Sequence, residues 1–123
     1  MEIGGVEGFI TKKEAPVGRF KIDVVWRRNK KGDPAFAFEV EISKQIAKSL
    51  LALRSAYNHW NSRGILVAEG YDLMKARIML EEDNPDLVGI VVPVSTSTIN
   101  ELHQYVINAK SKKDELGYKT RPL

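Results

Sequence analysis

From Phe20 to Arg27 the chain alternates: Phe20, Ile22, Val24 and Trp26 fall on one side, Lys21, Asp23, Val25 and Arg27 on the other. A period of two predicts a strand with one face in the core. "RNKKGDP" supplies turn chemistry through Gly32 and Pro34. Ala35 to Ile42 then alternates again, with Phe36, Phe38, Val40 and Ile42 inward and Ala35, Ala37, Glu39 and Glu41 opposite, which completes a hairpin. Ser43 suits a helix N-cap. Ile46, Leu50, Leu53, Tyr57 and Trp60 follow at helical spacing, and "NSRG" ends the stripe. "GILVAEG" predicts a buried strand, Asp72 to Glu82 a helix stopped at Pro85, and "LVGIVVPVS" a second buried strand. Thr98 with Glu101 has the form of a capping box ahead of a stripe of Ile99, Leu102, Val106 and Ala109.

The order is hairpin, helix, strand, helix, strand, helix. It predicts an α/β fold in which a mixed sheet carries an antiparallel hairpin and parallel crossovers follow. Both later strands are apolar throughout, so helices are expected on both faces. The 123 residues suit one domain. Residues 1–19, with Gly4, Gly5, Gly8, Gly18 and Pro16, are expected to form an irregular lead-in or an edge strand, 20–109 the core, and 110–123 a polar tail.

Composition narrows the chemistry. There is no cysteine, which excludes disulfides, thiolate nucleophiles and cysteine zinc sites. No apolar run approaches the ~20 residues of a membrane span, and the first residues lack a secretory layout. These features predict a soluble, cytoplasmic protein with no membrane partner. The net charge of +3 is uneven. Residues 1–60 carry 11 Lys and Arg against 7 Asp and Glu (+4), and residues 61–123 carry 8 against 9 (−1). A polyanion near the N-terminal half is compatible with that split, as is chance asymmetry of a solvated surface.

The hairpin raises the main chemical question. If Ile22, Val24 and Trp26 share a core face with Phe36, Phe38 and Val40, then Asp23, Glu39 and Glu41 share the other. Directly opposed residues on paired strands lie ~4.5–5.5 Å apart, and like charges there are destabilising. A divalent cation would offset the repulsion: Mg²⁺ takes one or two carboxylates plus waters and substrate phosphates. An acid that is not a ligand can take a proton from an attacking water. The helix beginning after Glu41 would also favour anions there. A solvated acidic sheet face is the competing reading of the same residues.

"GRFKIDVVW", then "AFAFEVEIS" and an amphipathic helix, resemble the core of the PD-(D/E)XK nuclease superfamily, the restriction-endonuclease-like fold, over roughly residues 18–94. The superfamily pattern is an Asp on one strand, Asp/Glu-x-Lys on the next, then a helix. The resemblance matches Asp23 to the first acid and Glu39 to the second, and so implies Mg²⁺ or Mn²⁺ held by Asp23 and Glu39. Position 41 is Glu where the motif has Lys; a minority of restriction enzymes in the superfamily carry Glu there, near the attacking water. Lys21, Lys44 and Lys48 are candidates for the displaced lysine. The helix that usually precedes the hairpin, often with a further acid, has no counterpart in residues 1–19.

Arg27, Arg28, Lys30 and Lys31 crowd the hairpin turn and suit DNA phosphates without reading bases, or form a simple solvated turn. Gln45 is a candidate substrate or water contact, or an exposed helix residue. His59 and His103 lack a partner at ligand spacing. Three functions are thus expected in descending order: a Mg²⁺-dependent DNA endonuclease; an inactive nuclease-like module for DNA docking or subunit assembly in a larger chain; and an α/β domain that forms a homodimer through apolar helix faces.

Overall fold

The computed structural model describes residues 8–41 and 45–100. Its elements are β1 (Ile10–Val17), β2 (Phe20–Arg27), β3 (Phe36–Val40), α1 (Ile46–Trp60), β4 (Arg63–Val67), α2 (Gly70–Asp83) and β5 (Val91–Val94), with a 3₁₀ turn at Pro85–Leu87. They build a five-stranded open mixed sheet in the order β1-β2-β3-β4-β5. The first three strands are antiparallel neighbours, and β4 and β5 run parallel to β3. This is the mixed α/β sheet that the alternation of elements predicts. The glycine-rich start resolves to an edge strand over Ile10–Val17, so residues 1–19 are not all irregular. Ser43, Lys44, Glu101, His103, the later part of the last stripe and the tail lie outside the described residues.

α1 forms because apolar and small residues recur on one side, and Ile46, Leu50, Ala52, Leu53 and Ala56 are buried. Small Ala52 and Ala56 are buried against the sheet, and Leu53 of the helix lies close over Gly64 of β4. A Cβ there would stand 3.0 Å from Val91 and 3.3 Å from Leu53. Asn61 ends the helix in the left-handed conformation, its N–H donating to the Tyr57 carbonyl. Tyr57 and Trp60, at the end of the expected stripe, are only half-buried.

α1 and α2 pack on one face of the sheet, over a core that includes Ile22, Val25, Leu66 and Val91. The opposite face gathers Val24, Trp26, Phe38 and Val67 with Ile99, which lies in helical residues 96–100. Phe38 is fully buried there, its ring 4.6 Å from that of Trp26. The cap of this last helix is Ser95, not Thr98: the Ser95 hydroxyl accepts the Thr98 N–H at 3.2 Å.

The hairpin departs from its expected side in one respect. Ile22 lies in the α1 core, whereas Val24 and Trp26 lie in the other. β1 changes with it, since Ala15 pairs with Ile22 and Val17 with Phe20 on the α1 face, while Thr11 pairs with Trp26 and Lys13 with Val24. The ribbon therefore turns over between these pairs, at Glu14 and Asp23. Those two residues make no ladder pair, and Glu14 has φ +52°. An unpaired residue in an unusual backbone conformation is what breaks a period of two.

Candidate active site

The turnover sets up the site. β2 and β3 are laddered at Val24–Phe38, Val25–Ala37 and Trp26–Phe36, and no further. The next pair in that register is Asp23 with Glu39, where the backbones part. Two amides lose their carbonyl partners there, and an unpaired backbone N–H is costly. Each side chain supplies one across the gap. Asp23 N–H donates to Glu39 Oε2 at 3.0 Å, and Val40 N–H donates to Asp23 Oδ2 at 2.8 Å. The two side chains are thereby held facing each other, and both line a cleft.

Glu39 is 7 % exposed although it carries a carboxyl. Burial raises its pKa from an ordinary 4.5 to about 8, against the lowering effect of the Asp23 N–H. The neighbouring Asp23 and Glu41 charges push the same way as burial. At neutral pH without a cation this favours the protonated form of Glu39.

Glu41 continues the same side of β3 and is also buried. Its Oε1 accepts the Gln45 N–H at 2.8 Å and its Oε2 accepts the Ser49 hydroxyl at 2.9 Å. The first of these bonds satisfies an amide at the start of α1, where Gln45 itself makes no side-chain cap. Glu41 thus ties the end of β3 to the first turns of α1.

A cavity of about 430 Å³ opens over these groups. Asp23, Glu39, Glu41, Lys21, Gln45 and Lys48 all line it, so the structure collects most of the residues singled out in the sequence. It does not collect Arg27, Arg28, Lys30 and Lys31, none of which lines the cavity. They belong to the far end of the hairpin, where Asn29 Oδ1 accepts the Gly32 N–H and folds the turn. At ~3.3 Å per residue, Arg28 is roughly 16 Å of strand from Asp23. Arg19 also lines the cavity. Sequence reasoning missed it because it sits in a two-residue turn, outside every periodic pattern.

Among the described residues, no group of three or more Asp, Glu or His side chains is arranged to hold a metal ion. Asp23 and Glu39 are the two carboxyl groups that could share a cation here. Two hard oxygen donors fit Mg²⁺ or Mn²⁺, which complete their coordination with water and substrate oxygens. Two carboxyl groups this close repel when both are ionised, and a cation between them would offset that repulsion. No helix among the described residues is long and apolar enough to cross a membrane. Comparison of the chain with family models, with curated proteins and with solved structures gave no match.

Proposed function

We propose that this domain is a metal-dependent nuclease that hydrolyses phosphodiester bonds in DNA, of the PD-(D/E)XK type. The observation that carries this reading is the reciprocal bonding of Asp23 and Glu39 across the split between β2 and β3, in a cavity that also presents basic side chains. The order of an acid-bearing strand, a second acidic strand and a helix supports the same reading. Asp23 and Glu39 would hold Mg²⁺ or Mn²⁺. Such an ion polarises a phosphoryl oxygen and acidifies bound water. Glu41, fixed through the Gln45 N–H and the Ser49 hydroxyl, would orient the attacking water or take its proton. Lys21, on the cavity wall, would meet charge on the phosphate, with Lys44, outside the described residues, as the other candidate for that role. The water oxygen bonds to phosphorus, the ester P–O bond breaks, and the leaving oxygen takes up a proton.

The second reading, a nuclease-like module that docks on DNA without cutting it, is favoured by one observation: Glu41 stands in the lysine position and is committed to α1. Supercoiled and linear duplex DNA incubated with Mg²⁺ or Mn²⁺ separate the two. Cleavage by the wild type that Asp23→Asn and Glu39→Gln each abolish, with circular dichroism unchanged, is the expected result. Cleavage undiminished in both variants removes the assignment. No cleavage, and no heat of Mn²⁺ binding with DNA present, leaves the docking module.

A further inference from the structure

Arg19 stands where β1 turns into β2. Val17 pairs with Phe20, so Gly18 and Arg19 are the whole loop. Gly18 has φ +56° and Arg19 is not in the positive-φ region. A positive φ at the first loop position alone is the pattern of a type II′ turn, which favours glycine there. The turn places Arg19 beside the cleft. Its guanidinium lies 5.4 Å from the centroid of the Phe20 ring, and both residues line the acid cavity. Lys48, on the first turns of α1, lines the same cavity from the helix side.

Three cations, Arg19, Lys21 and Lys48, thus share one cavity with the carboxyl groups of Asp23, Glu39 and Glu41. Yet the ion pair formed among the described residues is Arg54–Asp86, and none of these cations takes part in one. Exposed cations that line a pocket and are not themselves engaged in ion pairs leave room for a ligand anion between them. The planar guanidinium suits two oxygens of one phosphate, and the aromatic ring restricts its orientation in advance.

We propose that Arg19 and Lys48 form a two-sided clamp for backbone phosphate, Arg19 from the hairpin turn and Lys48 from α1, so that nucleic acid crosses the cleft with one phosphodiester over Asp23 and Glu39. This inference rests on the nuclease reading. It adds two substrate-binding positions and the direction in which the strand runs, from the β1–β2 turn to the start of α1.

The test is the salt dependence of binding of a fluorescent 16-base-pair DNA duplex, followed by anisotropy with Ca²⁺ in place of Mg²⁺. Removing one cation that neutralises a phosphate lowers the slope of log K against log salt by about 0.9. Arg19→Ala and Lys48→Ala should each reduce the slope by about one, and the double variant by about two. Arg19→Lys, which retains charge without the fork, should keep the slope while weakening binding. Wild-type binding with slopes unchanged in Arg19→Ala and Lys48→Ala would refute the clamp and leave the nuclease reading standing. A wild type that shows no binding at low salt would overturn both.

Discussion

Replacing Glu39 by Gln is the sharpest probe of the cleft. The amide keeps an oxygen to accept the Asp23 N–H and presents an NH₂ where the carboxyl holds its proton, so the geometry survives while the titration is deleted. In the wild type the folded pKa of about 8 lies above the ordinary 4.5. The folded state therefore binds the proton more tightly than the unfolded chain does. The resulting stability is fully present below pH 4.5 and is lost as pH rises through 8. A shift of that size corresponds to about 5 kcal/mol, lost at up to ~1.4 kcal/mol per pH unit. Domains are stable by only ~5–15 kcal/mol, so the effect is large. Urea unfolding from pH 4.5 to 9, with chelator present, measures it. Wild type and Glu39→Gln should agree near pH 4.5 and diverge steadily, with the Gln variant the more stable at pH 9. Parallel profiles across this range would show that Glu39 titrates as an ordinary solvated carboxyl, and the argument for a desolvated, cation-seeking pair would fail.

Four further outcomes follow from the same geometry. At pH 8.5, Mg²⁺ should raise the melting temperature of the wild type and leave Glu39→Gln unmoved; equal shifts would place the ion elsewhere. Ser49→Ala strips a hydroxyl from the buried Glu41 carboxylate and should cost ~1–3 kcal/mol in chemical denaturation, whereas Ser49→Thr should recover part of it. Gly18→Ala forces a side chain into positive φ, 3.2 Å from Ser55 Oγ, and should cost ~1–2 kcal/mol by thermal melting. Phe38→Ala empties a fully buried site beside Trp26 and should cost ~3–5 kcal/mol, with loss of near-ultraviolet dichroism from the indole.

The alternation from Phe20 to Val40 was enough to place two paired strands and to single out Asp23 and Glu39 as neighbours. Element order was enough to reach a mixed α/β sheet, because a parallel strand needs a crossover and the chain offers helical stripes there. The turnover at Glu14 and Asp23 was not legible. Val24, Val25 and Trp26 are all buried, so apolar character could not say which residue faced which core. Nor was the inner surface of α1, where Ala52 and Ala56 are more deeply buried than Tyr57 and Trp60. Size misleads where a helix lies close to a sheet and only small residues fit beneath it. Arg19 escaped for a related reason: its role comes from the geometry of a turn, and a turn residue shows no periodicity. The bond from Glu41 to Ser49 spans eight positions and depends on how strand and helix meet.

The split between β2 and β3 leaves the molecule with a built-in indicator. The amides of Asp23 and Val40 donate to carboxyl oxygens, whereas their neighbours in the ladder donate to carbonyls. Hydrogen bonds to an ionised acceptor are shorter and stronger than those to a neutral one. The proton resonances of these two amides should consequently move with the charge on the carboxyl pair. In a ¹⁵N-correlated spectrum they would register the arrival of an ion, or the departure of a proton, before any turnover assay could.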